Sequence, residues 1–220
     1  MMSMTKSKRL KQKTISEFAQ KADIYDSDGM FEMVKADYEE VINEVLREPF
    51  DVLVDYGCGT GEFIKRLYAR KQNCKYIGVD ITPEILGVAK EKNKTAEFIN
   101  GDSENTIFDQ DSIDVVTCIH SFHHYPEPAC FLNNAFVSLK PGGRLIIRDN
   151  SSDSILMYLW MNYFRYPLSR MRGKGDVHYY STAEIKSLGE ATGFITESIV
   201  VKNKNKLHCV FRKALERQGQ

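Results

Sequence analysis

The stretch VLVDYGCGTGEF, residues 52–63, decides the fold. A short apolar strand runs directly into three glycines at alternate positions, Gly57, Gly59 and Gly61, and Asp55 stands two residues before the first of them. Glycines permit a tight turn from strand to helix and let a ligand approach the backbone, while the following helix N-terminus offers unpaired N–H groups. The stretch therefore predicts a nucleotide-like ligand at this strand end, and a glycine turn that serves packing alone is the alternative.

Strands and helices alternate along the sequence on both sides of this loop. The predicted strands are VLVDY (52–56), KYIGVD (75–80), AEFIN (96–100), SIDVVTCI (112–119) and RLIIRD (144–149). Strands that are separated by helical stretches favour a parallel α/β sheet with crossover connections.

The end of the chain departs from this alternation. Ser181 and Glu184 have the spacing of a capping box, which begins a helix that ends at Gly193. Two strands follow, FITESIVV (194–201) and KLHCVFRK (206–213). The turn between them is so short that they pair antiparallel. We therefore expect a Rossmann-like, mostly parallel seven-stranded sheet with one antiparallel C-terminal strand.

Composition limits the class of protein. The 220 residues fit one domain, and Lys plus Arg equals Asp plus Glu at 30 each, which makes an extended nucleic-acid surface unlikely. The five cysteines never occur in a CxxC spacing, so we expect reduced thiols rather than disulfides or a zinc knuckle. We find no membrane-spanning apolar run and no secretory signal core, and we predict a cytoplasmic protein.

The sequence divides into a tail and one domain. Residues 1–13 carry five Lys or Arg side chains and almost nothing to bury, so they are predicted to form a disordered basic tail. Residues 14–220 are predicted to form a single domain, with an N-terminal helical segment at 14–50 and an insertion at 151–180.

Two acids follow the next two strands. Asp80 ends the second strand, and Asp102 comes just after the third. The carboxyl ends of adjacent parallel strands form the ligand crevice of such a fold, so both acids are expected near the glycine loop. A dinucleotide fingerprint, GxGxxG, would need its last glycine at position 62, where this chain has Glu62. An NAD-dependent oxidoreductase is therefore a weaker interpretation.

The spacing D-x-G-x-G-x-G from Asp55 to Gly61 resembles motif I of the class I S-adenosylmethionine-dependent methyltransferases. Residues 112–149, which include L-K-P-G-G, and YYSTAEIKSLGEATGF (179–194) resemble the small-molecule branch typified by ubiquinone and menaquinone biosynthesis methyltransferases.

The resemblance implies S-adenosyl-L-methionine as the cofactor. It implies that Asp80 accepts hydrogen bonds from the ribose and that Asp102, with the backbone of Ser103, recognises adenine. The complete set of cofactor residues that we expect is Tyr25, Asp55, Gly57, Gly59, Gly61, Asp80, Ile81, Asp102, Ser103 and His120.

A histidine cluster follows the fourth strand, where the resemblance places the transferred methyl group. His123 and His124 are candidates for a base or a substrate hydrogen-bond partner, because histidine titrates near neutral pH. The alternative is that they only shape the cofactor pocket. His178 is a third catalytic candidate. A metal site is not expected, because no matching carboxylate or cysteine pattern surrounds these histidines in the sequence.

The acceptor is expected to be a small apolar or aromatic molecule. Residues 151–181 are rich in Met and aromatic side chains and contain Trp160, which suits the lid of an acceptor pocket. The same composition suits a helix that packs on the sheet edge or a homodimer contact. The sequence lacks the Pro-Pro-aromatic and Pro-Cys motifs of enzymes that methylate nucleobases. A non-catalytic protein that binds S-adenosylmethionine or S-adenosylhomocysteine is the leading alternative to an enzyme.

Overall fold

The computed structural model describes residues 5–27, 29–202 and 205–215, with the side chains of residues 29–33 left aside. Its helices are α1 (Lys6–Ala19), α2 (Gly29–Val45), α3 (Glu62–Arg70), α4 (Pro83–Lys92), α5 (Pro128–Ser138), α6 (Ile155–Trp160), α7 (Tyr166–Met171) and α8 (Thr182–Thr192). Its strands are β1 (Val52–Tyr56), β2 (Lys75–Asp80), β3 (Glu97–Asn100), β4 (Ile113–Ile119), β5 (Leu139–Asn150), β6 (Ile195–Lys202) and β7 (Lys206–Arg212). Tyr25–Ser27 and Phe122–His124 are 3₁₀ turns, and a π-helical turn, Met161–Arg165, joins α6 to α7.

The strands form one seven-stranded sheet in the order β3-β2-β1-β4-β5-β7-β6. All pairs from β3 to β5 are parallel, and β7 is antiparallel to both β5 and β6. The predicted α/β sheet with one reversed strand is confirmed. The chain order of the strands reverses between β1 and β4, and that reversal opens a crevice at their carboxyl ends.

Two apolar layers enclose the sheet because side chains alternate along its strands. Val54 and Tyr56 of β1 pack in the cluster that contains α5 and α8, whereas Leu53 packs in the cluster that contains α2, α3 and α4. Strand β5 is longer than predicted, since it begins at Leu139 and continues through a register shift opposite Ile113 and Val115. The capping box of α8 and its end at Gly193 are both present.

The predicted disordered tail is wrong for residues 6–13, and residues 1–4 lie outside the described residues. Residues 6–13 form the first half of α1, whose N-cap is Thr5. The helix is held because its basic side chains find partners: Lys11 pairs with Asp102, and Lys13 donates to the Arg170 carbonyl at 2.6 Å. The prediction was wrong because the basic composition of these residues does not show the carboxylate and carbonyl groups with which their side chains pair.

The five cysteines are free, as expected from their spacing. Within the described ranges, no helix combines the length and the apolar character needed to cross a bilayer.

Two helical glycines provide a matched test of the packing. A Cβ on Gly189 of α8 would lie 2.3 Å from the Phe211 ring, whereas a Cβ on Gly87 of α4 would meet no atom within 4 Å. We expect Gly189→Ala to lower the free energy of unfolding by about 1–3 kcal/mol through overpacking. Gly87→Ala should raise it by up to about 1 kcal/mol through helix propensity. Urea denaturation measures both, and equal effects of the two changes would contradict this packing.

Candidate functional site

The glycine loop brings the tips of β1 and β4 together. Gly57 has φ +72°, and a Cβ there would lie 2.0 Å from the Ser121 Oγ, so no larger residue fits. Gly59 also has a left-handed φ of +53°, but the nearest atom to a Cβ there is 3.9 Å away. A ligand can therefore approach the backbone at Gly59, whereas the missing side chain at Gly57 lets Ser121 lie against the end of β1.

Asp80 fixes the glycine loop from the neighbouring strand. Its Oδ2 accepts the Gly59 N–H at 3.0 Å, and its Oδ1 accepts the Thr82 N–H at 2.9 Å. Burial raises the pKa of this carboxyl, and the two backbone donors act in the opposite direction. A carboxylate has about four acceptor positions, so Asp80 keeps capacity for further donors on its cleft side.

A cleft of about 770 Å³, part of it open to solvent, lies beyond these strand tips. It brings together eight of the ten predicted cofactor residues: Tyr25, Gly57, Gly59, Asp80, Ile81, Asp102, Ser103 and His120. Its wall also includes Lys11, Thr14 and Phe18 of α1, together with Val34, Tyr38, Cys58, Ile85, Ile119, Ser121, His124 and Tyr125.

Asp55 and Gly61 do not line the cleft. Asp55 accepts a hydrogen bond from the Thr117 Oγ1 at 2.6 Å, between β1 and β4. Burial, with a smaller contribution from Asp80, raises its pKa to about 7. Gly61 is the N-cap of α3, and a Cβ there would lie 2.7 Å from the Phe98 ring. Both residues therefore support the loop from the side away from the cleft.

Helix α1 covers one end of the cleft. The Lys11 Nζ lies 2.6 Å from the Asp102 Oδ2 and also pairs with Glu104. Asp102 further accepts the Asn105 side-chain amide at 2.6 Å and the Glu104 N–H at 3.0 Å. The acid predicted to recognise adenine is thus shared with a lysine of the covering helix.

Tyr25 and His120 stand where the cleft meets a second cavity. The Tyr25 ring lies 5.9 Å from the Phe18 ring, and both residues line the two cavities. The His120 Nε2 lies 2.6 Å from the Asp37 Oδ2, and the His120 backbone has a left-handed φ of +52°. Such a conformation is uncommon outside glycine, although histidine adopts it more readily than most residues.

The second cavity, of about 1130 Å³ including its open mouth, is lined by three of the four predicted histidines. His120, His123 and His124 line it, and so do Glu17, Phe18, Lys21, Tyr25, Val34, Asn150, Met161, Arg165, Tyr166, Lys174, Asp176 and Lys206. It shares Phe18, Tyr25, Val34, His120 and His124 with the cleft, so the two spaces adjoin.

Asp149, at the end of β5, orients His123. Its two oxygens meet the His123 Nδ1 at 2.7 Å and the His123 backbone N–H at 3.0 Å. Burial acts to lower the pKa of His123, but the carboxylates of Asp149 and Asp176 prevail and raise it. Burial and the neighbouring His123 lower the pKa of His124 to about 4.

His178 is not part of this group. Its Nε2 lies 3.0 Å from the Glu184 Oε1, its ring packs edge-on against Tyr180, and it lines neither cavity. The capping residue Glu184 therefore holds the imidazole on α8. The geometry does not support the prediction of a catalytic role for His178.

Several site residues escaped the sequence analysis. The basic character of the N-terminus predicted a solvated tail, so it gave no sign of the site residues Lys11, Thr14 and Phe18. The four-residue steps of Leu10, Thr14 and Phe18, which fit one helix face, were the available signal. Asp176 lies 53 positions after His123, and no local pattern joins the two. Hydrogen bonds between distant segments bring Asp176 to the cavity: the Val177 N–H donates to the His123 carbonyl at 2.9 Å, and the Gly175 N–H donates to the Glu17 carboxylate at 3.2 Å.

Comparison with known proteins assigns the family. The profile described as a methyltransferase domain matches residues 30–199, which is more than half of the chain. This chain belongs to the methyltransferase domain family. The predicted resemblance is thereby confirmed.

The methyltransferase domain resembles enzymes of quinone biosynthesis in sequence. A demethylmenaquinone methyltransferase of Lactococcus lactis is 31% identical over 112 residues, which cover 48% of this chain and 44% of that protein. A ubiquinone biosynthesis O-methyltransferase of Aeromonas salmonicida is 28% identical over 158 residues, which cover 67% and 64%. The chain spans about half or less of the length of the first curated relatives it matches.

The fold of the methyltransferase domain also matches solved structures. The 1,6-didemethyltoxoflavin-N1-methyltransferase of Burkholderia thailandensis, with bound 1,6-didemethyltoxoflavin and S-adenosylhomocysteine, superposes with a TM-score of 0.71. The match covers 97% of this chain and 93% of that chain at 16% identity, so it establishes the fold.

Asp55 makes the stability of the domain depend on pH. Its pKa is about 7 in the folded chain, above the ordinary value of 3.8, so its contribution to stability is complete below about pH 4 and is lost as pH rises through about 7. Asparagine does not titrate. We therefore expect the free energy of unfolding of Asp55→Asn, relative to that of the unmodified chain, to be higher at pH 8 than at pH 5. Urea unfolding of both proteins at the two pH values measures this, and parallel pH dependences would contradict it.

Proposed function

We propose that this protein transfers a methyl group from S-adenosyl-L-methionine to a small molecule. One observation carries the proposal: the Gly59 backbone, Asp80 and Asp102 line a single cleft that adjoins a second cavity lined by His123, whose Nδ1 is hydrogen-bonded to Asp149. The cofactor, when bound, supplies an electrophilic methyl group on a sulfonium with an excellent leaving group. The remaining task of the protein is to bind both molecules, align them and exclude water.

The donor groups of the cleft fit the cofactor. Asp80 is held by two backbone N–H groups and retains acceptor capacity for a ribose diol. Ile81 and Ile85 offer apolar surface for a base, and Tyr25 offers an aromatic face for a cationic sulfonium. Adenine at Asp102 would share that carboxylate with Lys11, so we expect cofactor binding to loosen the Lys11–Asp102 contact.

The lining of the second cavity refines the expected acceptor. Phe18, Tyr25 and Tyr166 provide a wall for an apolar or aromatic body. Arg165 adds a cationic group, whereas Lys21 and Lys174 pair with Glu17 and Lys206 pairs with Asp37. An acceptor with an acidic or strongly polar substituent near Arg165 therefore fits better than a wholly apolar one. The names of the quinone-biosynthesis relatives agree with an aromatic acceptor.

His123 lines this cavity, and its second ring nitrogen, Nε2, lies 3.7 Å from the Oδ1 of Asp176, which also lines it. With Nδ1 directed at Asp149, the neutral imidazole has its proton on Nδ1 and a lone pair on Nε2. A lone pair placed there can accept a proton from a hydroxyl acceptor as the methyl group transfers. Asp149 acts as the positioning residue in this arrangement.

A protein that binds the cofactor without transferring methyl is the second candidate. That function would be favoured if residues 155–170 filled the acceptor space. Instead, Met161, Arg165 and Tyr166 line an open cavity, while Trp160 and Phe164 are 51% and 67% exposed. The arrangement favours an enzyme. The outward-facing aromatic residues of this segment suit either a mobile lid or a homodimer contact.

A cytoplasmic location stays a prediction from the sequence.

Asp80 provides the test of cofactor binding. We expect Asp80→Asn to weaken S-adenosylhomocysteine binding about 100-fold, because charge-assisted hydrogen bonds to the ribose are lost. Asp51→Asn, which changes an exposed carboxylate at the opposite end of the sheet, should have no effect. Isothermal calorimetry measures both, and thermal melting confirms folding. No heat of binding to the unmodified protein, or tighter binding of NADH, would end the proposal.

His123 provides the test of methyl transfer. We expect His123→Gln to slow formation of S-adenosylhomocysteine by about 100-fold while leaving its affinity nearly unchanged, since general-base contributions are of this size. The assay uses a panel of phenols and hydroxyquinones with and without carboxyl groups. An unchanged rate in the variant would remove His123 from the mechanism. Failure of every acceptor despite tight cofactor binding would favour the non-catalytic alternative.

A further inference from the structure

Three potential metal ligands converge at the wall of the second cavity, which is the proposed acceptor site and is called the acceptor cavity below. The ligand atoms of His123, His124 and Asp176 all lie within 4.8 Å of one another. The Asp176 Oδ1 is 3.7 Å from the His123 Nε2 and 4.0 Å from the His124 Nδ1. Two ligands of a tetrahedral zinc ion lie about 3.4 Å apart, given bond lengths of about 2.1 Å. To close the three atoms around an ion, the two distances from Asp176 need to shorten by only a few tenths of an ångström, and the two histidine nitrogens need to approach each other by at most about 1.4 Å.

His124 supplies an independent observation that points to a ligand. Its side chain is only 10% exposed, and its Nδ1 is inaccessible to solvent and has no hydrogen-bond partner among the described residues. A buried polar atom without a partner is costly, so it calls for an occupant. That atom lies in the same group as the Asp176 carboxylate. A neutral imidazole nitrogen and a carboxylate oxygen are both good ligands for divalent transition metals.

The groups behind the three ligands have the pattern that supports a metal. Asp149 engages the His123 Nδ1, which leaves Nε2 as the coordinating atom, and such carboxylate–histidine pairs orient metal ligands. The Ser169 hydroxyl donates to the Asp176 Oδ2, which leaves Oδ1 facing the histidines. The backbone bond from Val177 to the His123 carbonyl holds the two segments together.

We propose that His123, His124 and Asp176 form a binding site for one divalent transition-metal ion, of which zinc is the type, at the wall of the acceptor cavity. Two nitrogen ligands and one oxygen ligand favour zinc, cobalt, nickel or iron(II) over magnesium or calcium, which prefer oxygen alone. Three protein ligands leave a position open, as in catalytic sites. All three residues line the cavity, so that position is available to an oxygen atom of the acceptor.

The ion would refine the role of His123, and this part rests on the proposed methyl transfer. The Nε2 lone pair serves either a metal or a proton, so coordination excludes direct proton abstraction by His123. A bound ion would instead lower the pKa of the acceptor hydroxyl as a Lewis acid, so that its proton passes to solvent and the oxygen forms the new C–O bond as the C–S bond of the sulfonium breaks. Metal content distinguishes the two: if the protein binds no ion, the metal site is wrong and methyl transfer with His123 as the base still stands.

The experiment titrates chelator-treated, full-length protein with Zn²⁺ by calorimetry and with Co²⁺ by visible absorption. We expect one ion per chain, tetrahedral or five-coordinate Co²⁺ bands, and no response to Mg²⁺. Asp176→Asn and His124→Gln should each weaken Zn²⁺ binding by about 100-fold or more. Ser169→Ala, which removes the group that orients Asp176, should weaken it about 10-fold. Circular dichroism and thermal melting check that each variant folds.

His178→Gln is the matched control, because it removes a histidine that lies outside the three ligands and should leave Zn²⁺ affinity unchanged. Equal affinity in the unmodified protein and in the Asp176→Asn and His124→Gln variants would overturn the proposal. A Co²⁺–thiolate absorption band would also overturn it, since it would place the ion on a cysteine such as the exposed Cys130. The absence of any metal binding would overturn the proposal as well, and would leave the hydrogen bond between His123 and Asp149 as the role of this group.

Discussion

The buried carboxylate of Asp37 is the interaction on which the site depends. Asp37 lies on α2 and is 4% exposed. Its carboxylate lies 3.1 Å from the Arg148 Nε of β5, 2.6 Å from the His120 ring after β4 and 3.1 Å from the Lys206 ammonium of β7. A buried charge is tolerated only when it is paired, so α2 is fixed against the ends of three strands. Burial opposes ionisation, but His120 and Arg148 hold the pKa of Asp37 well below its usual range.

The sheet supplies a second constraint at the same edge. Strand order reverses between β1 and β4, and Ser121 approaches Gly57 so closely that no side chain fits there. Groups at the ends of β1, β2 and β3 therefore converge on the cleft, while His123, which follows β4, lines the second cavity and is held by Asp149 near the end of β5. The positions of the cleft and of the second cavity both follow from which strands are neighbours.

The cover of the site comes from segments distant in sequence. Helix α1 contributes Lys11 and Phe18, and residues 161–176 contribute Tyr166 and Asp176. Contacts such as the pairing of Lys174 with Glu17 join these two covering segments to each other. The second cavity is thus bordered by side chains that are held by ion pairs, whereas the cleft is built on the strand ends and is covered at one end by α1.

The sequence by itself determined the sheet, the glycine loop and the acids at the strand ends. Alternating apolar strands, the glycine spacing and the acids at strand ends are local patterns, and parallel strands carry local patterns to one shared edge. Tertiary structure alone decided that α1 is ordered, that Asp55 and Gly61 act behind the loop, that His178 is turned away, and that Asp176 stands beside His123 and His124. Those outcomes depend on which distant side chain offers a charge or a contact, and neither composition nor periodicity records such partners.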